Sequence, residues 1–163
     1  MKIEMSFSTS RLEAVTLAPN MAGIQDEIIT MFTATVSRYL PPSCQSLRTA
    51  EDVDRWLESM AQTGAVLRLT HQQQAAGYLF VFPEPENCYR LGYVLAEDQW
   101  GKGLATEAMQ GLVAYLSAQD HAAKFIAGVE PDNAGSVKVL EKLGFAYGYS
   151  EQGVDYYSLS VTQ

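Results

Sequence analysis

The stretch "DQWGKGLATEA", residues 98–108, has fewer ways to fold than any other part of the chain. Gly101 and Gly103 stand two apart, and the residues from Leu104 onward are good helix formers. Glycine tolerates backbone angles closed to other residues and has no Cβ to hold a neighbour off. The first turn of a helix leaves N–H groups without internal partners, at the positive end of the helix dipole. A strand entering a helix through such a turn can cradle a diphosphate, and a plain tight turn is the other reading. Two familiar phosphate loops do not fit. A Walker loop ends in Gly-Lys-Ser/Thr, whereas Lys102 lies between the glycines and is followed by Gly103. A dinucleotide fingerprint wants Gly or Ala three residues after the second glycine, where Thr106 stands, and this turn comes after three hairpin-type strands.

Around that turn the pattern predicts a mixed α/β sheet. "SRLEAVTLA" (10–18) reads as a strand stopped by Pro19, and Asn20 is placed to cap a helix over 21–39. That helix carries Ile24, Ile28, Phe32, Val36 and Tyr39 at three- and four-residue spacing. Pro41-Pro42 ends it, and Thr49 with Asp52 signals the cap of a second helix bearing Val53, Trp56, Leu57 and Met60 on one face. After Gly64 the period changes. "AVLRLTH" and "AAGYLFVF" read as a hairpin, and "CYRLGYVLA" as a third strand leading into the glycine turn. Beyond it come a helix with Leu104, Ala108, Leu112, Tyr115 and Leu116 on one face, the strand "AKFIAGVE", and a helix capped by Asn133 or Asp132 with Gly144 just past its end. "FAYGYS" and "VDYYSLSVT" close as a hairpin. The order β-α-α-β-β-β-α-β-α-β-β over 163 residues predicts one domain, 1–163, with helices on the faces of its sheet.

Composition excludes several partners. A net charge of −8 with no basic cluster argues against nucleic acid. The longest strongly apolar run, "AAGYLFVF", is far short of a membrane span, so no membrane partner is expected. "MKIEMSFSTS" has no signal-peptide core, and a cytoplasmic location is the expectation. Cys44 and Cys88 form no CxxC and read as packed thiols, while His71 and His121 lack ligand-like spacing, so no metal is expected.

"EDQWGKGLATEA" followed by "VEPDNAGSVKVLEKLGF" resembles the GNAT superfamily of acyl-CoA-dependent N-acyltransferases, and within it the RimJ/RimL-like branch. The likeness is dense over residues 76–147 and looser before that, where "TSRLEAVTLAP" resembles the family's first strand. It implies a largely antiparallel sheet with a splayed central strand pair and acetyl-CoA as co-substrate. In the family the turn's amides bind the CoA pyrophosphate, a role that carries over to Gly101, Lys102, Gly103, Leu104 and Ala105. The strand around Leu91–Leu95 is expected to splay from residues 124–129 through a bulge that Gly92 suits, leaving the amides of Tyr93, Val94 and Leu95 to pair with pantetheine. Asn133 matches the family's asparagine, and Ser136, one turn on, is the expected donor to the leaving thiolate. Many relatives instead use a tyrosine where Leu140 stands. The turn also departs from the family pattern. Asp98 occupies a place often held by Gln or Arg and is expected to face solvent, and Gln99 comes one place later.

The expected base is the weakest match. Relatives often carry a glutamate two residues before the glycine of "LGY", and here that residue is Arg90. Glu84, Glu86 and Glu130 lie nearby in sequence, and Glu86 is assigned the role with Ser136 and Asn133. An amine must be neutral to attack a thioester. A lysine-type amine of pKa ~10.4 is about 1 part in ~2,500 neutral at pH 7, a deficit near ~4.6 kcal/mol, whereas an α-amino group is already roughly 10–20% neutral. A chain without a strong base therefore points to an α-amino acceptor on a protein or peptide. The helices 21–39 and 50–60 and the closing hairpin, with Tyr147, Tyr149, Tyr156 and Tyr157, are expected to wall its groove. A small-molecule amine acetyltransferase and a non-catalytic acyl-CoA module remain alternatives, as do monomer and homodimer.

Overall fold

Eight strands form one sheet in the computed structural model, which describes residues 4–17, 21–119 and 121–161. The strands are β1 (Ser6–Ser8), β2 (Leu12–Thr16), β3 (Ala65–His71), β4 (Gln74–Glu84), β5 (Cys88–Leu95), β6 (Lys124–Val129), β7 (Ala146–Glu151) and β8 (Val154–Ser160). They lie in the order β1-β2-β3-β4-β5-β6-β8-β7. Every neighbouring pair is antiparallel except β5–β6, which is parallel. Parallel strands need a crossover, and here it is α4 (Leu104–Gln119), entered through the glycine turn.

The alternation of the strands splits the core in two. Leu79, Val81, Leu91, Leu95, Phe125 and Ala127 face α4 and α5 (Ala134–Lys142), against Leu104, Met109, Leu112 and Leu140. Tyr78, Phe80 and Val94 point the other way, toward α1 (Ile24–Met31), α2 (Ala34–Ser37) and α3 (Ala50–Thr63), against Ile28, Phe32, Val53 and Trp56. The caps read from sequence form as expected. Thr49 and Asp52 make a reciprocal capping box on α3, the Asn133 side chain caps α5, and Gly144 follows α5 with φ of 93°.

Three local expectations are corrected. The helix expected over 21–39 is two helices: Phe32 leaves helical geometry to pack edge-on against Trp56 and Tyr78, and the Thr33 hydroxyl accepts from the Val36 amide (3.2 Å) to start α2. Pro19 and Asn20 lie outside the described residues, and Gly23 stands at the start of α1. A strand not foreseen, β1, pairs with β2 on the sheet edge and stacks Phe7 on Tyr115 of α4. No bulge occurs at Gly92: the β4–β5 register runs unbroken from Gly77↔Leu95 to Glu84↔Cys88.

One polar group ties α1 to the sheet. Glu27 on α1 accepts from Arg68 on β3 at 2.8 and 2.7 Å, and from the hydroxyl of the fully buried Tyr78 on β4. Burial alone would raise the Glu27 carboxyl, but the Arg68 and Tyr78 hydrogen bonds and the Arg68 charge outweigh it and hold it low. A depressed carboxyl adds stability that is present above its unfolded value, about 4.3, and is lost as pH falls through the lower folded value. Replacing Glu27 with Gln is expected to cost about 1–3 kcal/mol in urea unfolding at pH 7, since Tyr78 and Arg68 lose a charged acceptor. The difference from wild type should shrink once the pH is taken below that window.

Candidate active site

The parallel ladder between β5 and β6 is short. It pairs Cys88 with Lys124, Tyr89 with Phe125 and Arg90 with Ile126, and then the strands part. β5 continues along β4 as far as Leu95, and β6 continues along β8 as far as Val129. Each strand follows the neighbour that binds its whole length, so no bulge is needed to open the gap. The inner edges of Leu91–Leu95 and Ala127–Val129 thus present backbone groups to a wedge whose mouth lies at the C-terminal ends of both strands.

The glycine turn sits at that mouth. Gly101 and Gly103 both have φ of 75°, a conformation glycine adopts without strain, and Cβ atoms there would enter open space or only touch Arg11 at 3.6 Å. The first backbone bond of α4 joins the Glu107 amide to the Gly103 carbonyl at 3.1 Å, so the amides of Leu104, Ala105 and Thr106 precede the helix ladder. Gly101, Lys102 and Gly103 are exposed, Leu104 is buried in the core and Ala105 is half-buried. Asp98 is exposed, as expected, while Gln99 turns inward to His71 at 2.9 Å. The Trp100 indole donates to the Leu95 carbonyl (3.0 Å), sealing the end of β5.

A clamp from the first hairpin holds the turn. Arg11 donates to the Lys102 carbonyl at 2.8 Å and to Glu107 at 2.7 Å, and Glu107 also accepts from the Arg11 amide (2.8 Å) and the Thr9 hydroxyl. Burial pushes the Glu107 carboxyl up, but these hydrogen bonds and the Arg11 charge bring it below its ordinary value.

Across the wedge mouth, Ser136 is the hub of a small network. Its hydroxyl lies 2.7 Å from the Tyr93 hydroxyl and accepts from the Asn133 amide nitrogen at 3.1 Å, while the Asn133 carbonyl oxygen caps the Ser136 amide at 3.3 Å. Tyr93, Asn133 and Ser136 are thus brought together. The side chain of Tyr93 is the functional group the sequence reading missed, since it assigned only that residue's backbone. Alternation along β5 was the available signal, because it puts Tyr93 with Leu91 and Leu95 on the α5 side. Burial raises the Tyr93 hydroxyl above its usual range, partly offset by the bond to Ser136. Leu140 is 2% exposed and belongs to the core.

Glu86 is not part of this group. It occupies the exposed β4–β5 turn with φ of 66°, seven residues before Tyr93 and so roughly 20 Å away along the strand. The fold does not bring Glu86 beside Ser136 and Asn133: the hairpin that orders β5 carries its turn to the opposite end of the strand. Glu130 is exposed at the end of β6. Glu84 is bound to Arg90 in an ion pair on the α1–α3 face. The C-terminal tyrosines divide between faces. A register shift at Gly148 leaves Tyr147 edge-on to Tyr157 and moves Tyr149 onto Tyr156, stacked at 5.0 Å.

A sheet opened at its one parallel pair, beside a glycine-lined helix start, sets an open strand edge next to helix-start amides outside the helix ladder. The description "Acetyltransferase (GNAT) domain" matches residues 13–146, and the chain belongs to that family. A Bacillus licheniformis relative, "Uncharacterized N-acetyltransferase p20", is 42% identical over 55 residues, 34% of this chain and 31% of that protein. The chain therefore matches about a third of that relative's length. Among solved structures, RimL, a ribosomal L7/L12 α-N-protein acetyltransferase in complex with coenzyme A, superposes with a TM-score of 0.83 at 16% identity, covering 96% of this chain and 98% of that one. The microcin C7 self-immunity acetyltransferase MccE, in complex with acetyl-CoA and AMP, gives 0.77 at 15% identity, covering 93% of each. These likenesses establish the fold.

The clamp predicts that Glu107→Ala lowers the backbone NMR order parameters of residues 101–106 while leaving those of α3 and β4 unchanged. Because the Glu107 carboxyl is held below its ordinary value, the wild-type turn should stay ordered at neutral pH and loosen only as pH falls through that lowered value.

Proposed function

We propose that this chain is an acetyl-CoA-dependent N-acetyltransferase whose acceptor is the α-amino group of a protein or peptide. The observation that carries the reading is the parting of β5 from β6 beside the Tyr93–Ser136–Asn133 network. Acetyl-CoA supplies the acyl thioester. The bare backbone of Gly101 and Gly103 and the free amides of Leu104 and Ala105 suit its diphosphate, with Lys102 as an exposed cation nearby. The open edge of β5, where Tyr93 and Leu95 face the gap while the Val94 carbonyl between them turns to β4, suits the pantetheine amides, which add to it as a short strand would. A backbone N–H on that edge is the donor to the developing oxyanion. Ser136 gives a proton to the departing sulfur, and Asn133 and Tyr93 fix the direction of its hydroxyl.

The α-amino acceptor follows from what surrounds this network. Its hydrogen bonds are among hydroxyls and an amide, and Glu86 is at the far end of β5. An amine already partly neutral at pH 7 needs least from such a site. That RimL, the fold neighbour, is an α-N-protein acetyltransferase agrees with this choice.

Ser136→Ala is expected to lower kcat roughly 10²-fold with CoA affinity near wild type, and Tyr93→Phe to lower it less. The Tyr93 hydroxyl, raised by burial, stays protonated through mild alkali, so the rise of kcat/KM with pH should track the acceptor amine near ~8. Mass-spectrometric assay against N-terminal peptides, polyamines and aminoglycosides tests the acceptor. Turnover of polyamines or aminoglycosides with no peptide acetylated would sink the α-amino reading. Tight CoA binding with no turnover on any amine would favour a non-catalytic module.

A further inference from the structure

We propose that Arg90 determines acceptor specificity, by holding an acidic side chain at the second or third residue of the peptide whose amine is acetylated. This rests on the peptide-acceptor reading above and narrows it.

Alternation along β5 points Arg90, Gly92 and Val94 away from α4 and α5, to the face opposite the Tyr93–Ser136 network. Arg90 is the last β5 residue paired with β6, so it stands where the wedge closes. Beyond it on that face both arms carry glycine, Gly92 and Gly128, with the Phe80 ring beside the first and the Tyr156 ring and Val154 packed over the second. The guanidinium lies over the Tyr156 ring at 5.6 Å and pairs through Nε with Glu84. Tyr149 stacks on Tyr156 and is 49% exposed. It reaches this face only through the register shift at Gly148; an unbroken register would keep it on the side of Tyr147. The chain thus bends its last hairpin to complete an aromatic support for one arginine.

A stacked guanidinium presents its planar fork in a fixed direction, suited to a carboxylate. Glu84 engages the Nε–H, and the side chains of the pair are 43% and 31% exposed. The Tyr149 hydroxyl is a second partner, and a guanidinium with five N–H donors keeps others for an incoming carboxylate without displacing Glu84. Spacing selects the source of that carboxylate. Arg90 and Tyr93 are three residues apart, about 10 Å along the strand. An extended peptide rising about 3.4 Å per residue carries its second and third residues about 3 and 7 Å beyond its amine, and an acidic side chain reaching toward the guanidinium covers the rest. The α-carboxylate of a free amino acid, adjacent to its own amine, does not.

The test compares peptides identical except for Asp, Ala or Lys at positions two and three, with wild type, Arg90→Ala and Arg90→Glu. Wild type is expected to favour the acidic peptide over the alanine peptide by about tenfold or more in kcat/KM, chiefly through KM. In Arg90→Ala the acidic and alanine peptides should become nearly equal, and Arg90→Glu should prefer the lysine peptide. Thermal unfolding of each variant checks that the fold is kept, and the reversed preference of Arg90→Glu reads specificity independently of any overall loss. Alanine peptides acetylated as well as acidic ones by wild type, or an acidic preference that survives both substitutions, would overturn the role of Arg90 while leaving the peptide acceptor standing. No turnover with any peptide would overturn both.

Discussion

The parting of β5 and β6 is the constraint on which the rest of the structure depends. A sheet that stops pairing in its middle leaves backbone donors and acceptors without partners, and such groups are costly when shut away from water. The chain meets this cost by binding each strand fully on its other edge, β5 to β4 and β6 to β8, so both arms stay rigid without each other. Both cores lie on the faces of the sheet and draw nothing from the missing ladder. The opening is consequently a permanent feature of the fold. A ligand that adds as a strand finds its edge already ordered and pays little to organise it.

What the parted strands separate, the connections bring back together. The glycine turn follows directly from the end of β5, while the residue that fastens it, Arg11, comes from the first hairpin, 91 residues from Lys102. Glu107 binds that same hairpin from the first turn of α4. A flexible two-glycine loop would lose entropy on wrapping an anion; tied at Lys102 and Glu107, much of that ordering is done beforehand. On the far side of the mouth, the Tyr39 hydroxyl reaches the Asp132 carbonyl at 3.4 Å, linking the end of the first helical layer to the loop that starts α5. Elements distant in sequence thus converge on the C-terminal ends of β5 and β6.

Local chemistry made the elements legible and hid their meeting points. Helix starts were readable at Thr49 and Asn133, because a capping side chain sits beside the amides it serves. The turn was readable at Gly101 and Gly103, because its dihedral requirement falls on those residues themselves. The break at Phe32 was not: periodicity runs through it, and only the tertiary partners Trp56 and Tyr78 pull that ring out of line. β1 escaped notice because three edge residues carry almost no pattern. The gap itself was foreseen, but its cause was placed at Gly92, when it lies in the unequal pairing of two strands with their outer neighbours. Glu86 was drawn in by nearness in sequence, which a hairpin turn converts into distance from the far end of its own strand.

Arg90 gains its meaning from the same geometry. A carboxylate at that place would take a proton from an incoming ammonium; a guanidinium repels it and so favours the neutral, nucleophilic amine. The two devices are not equivalent. A base at the wedge serves any amine, including one of pKa ~10.4, whereas a like charge shifts the balance usefully only for an amine already close to neutrality at working pH. The Glu84 partner moderates this repulsion at the wedge. An acceptor that carries its own carboxylate further along the chain reverses the sign of the encounter, since attraction at the carboxylate offsets repulsion at the amine. A position that lacks the glutamate base of relatives thus fits the proposed role in choosing the acceptor better than one in deprotonating it.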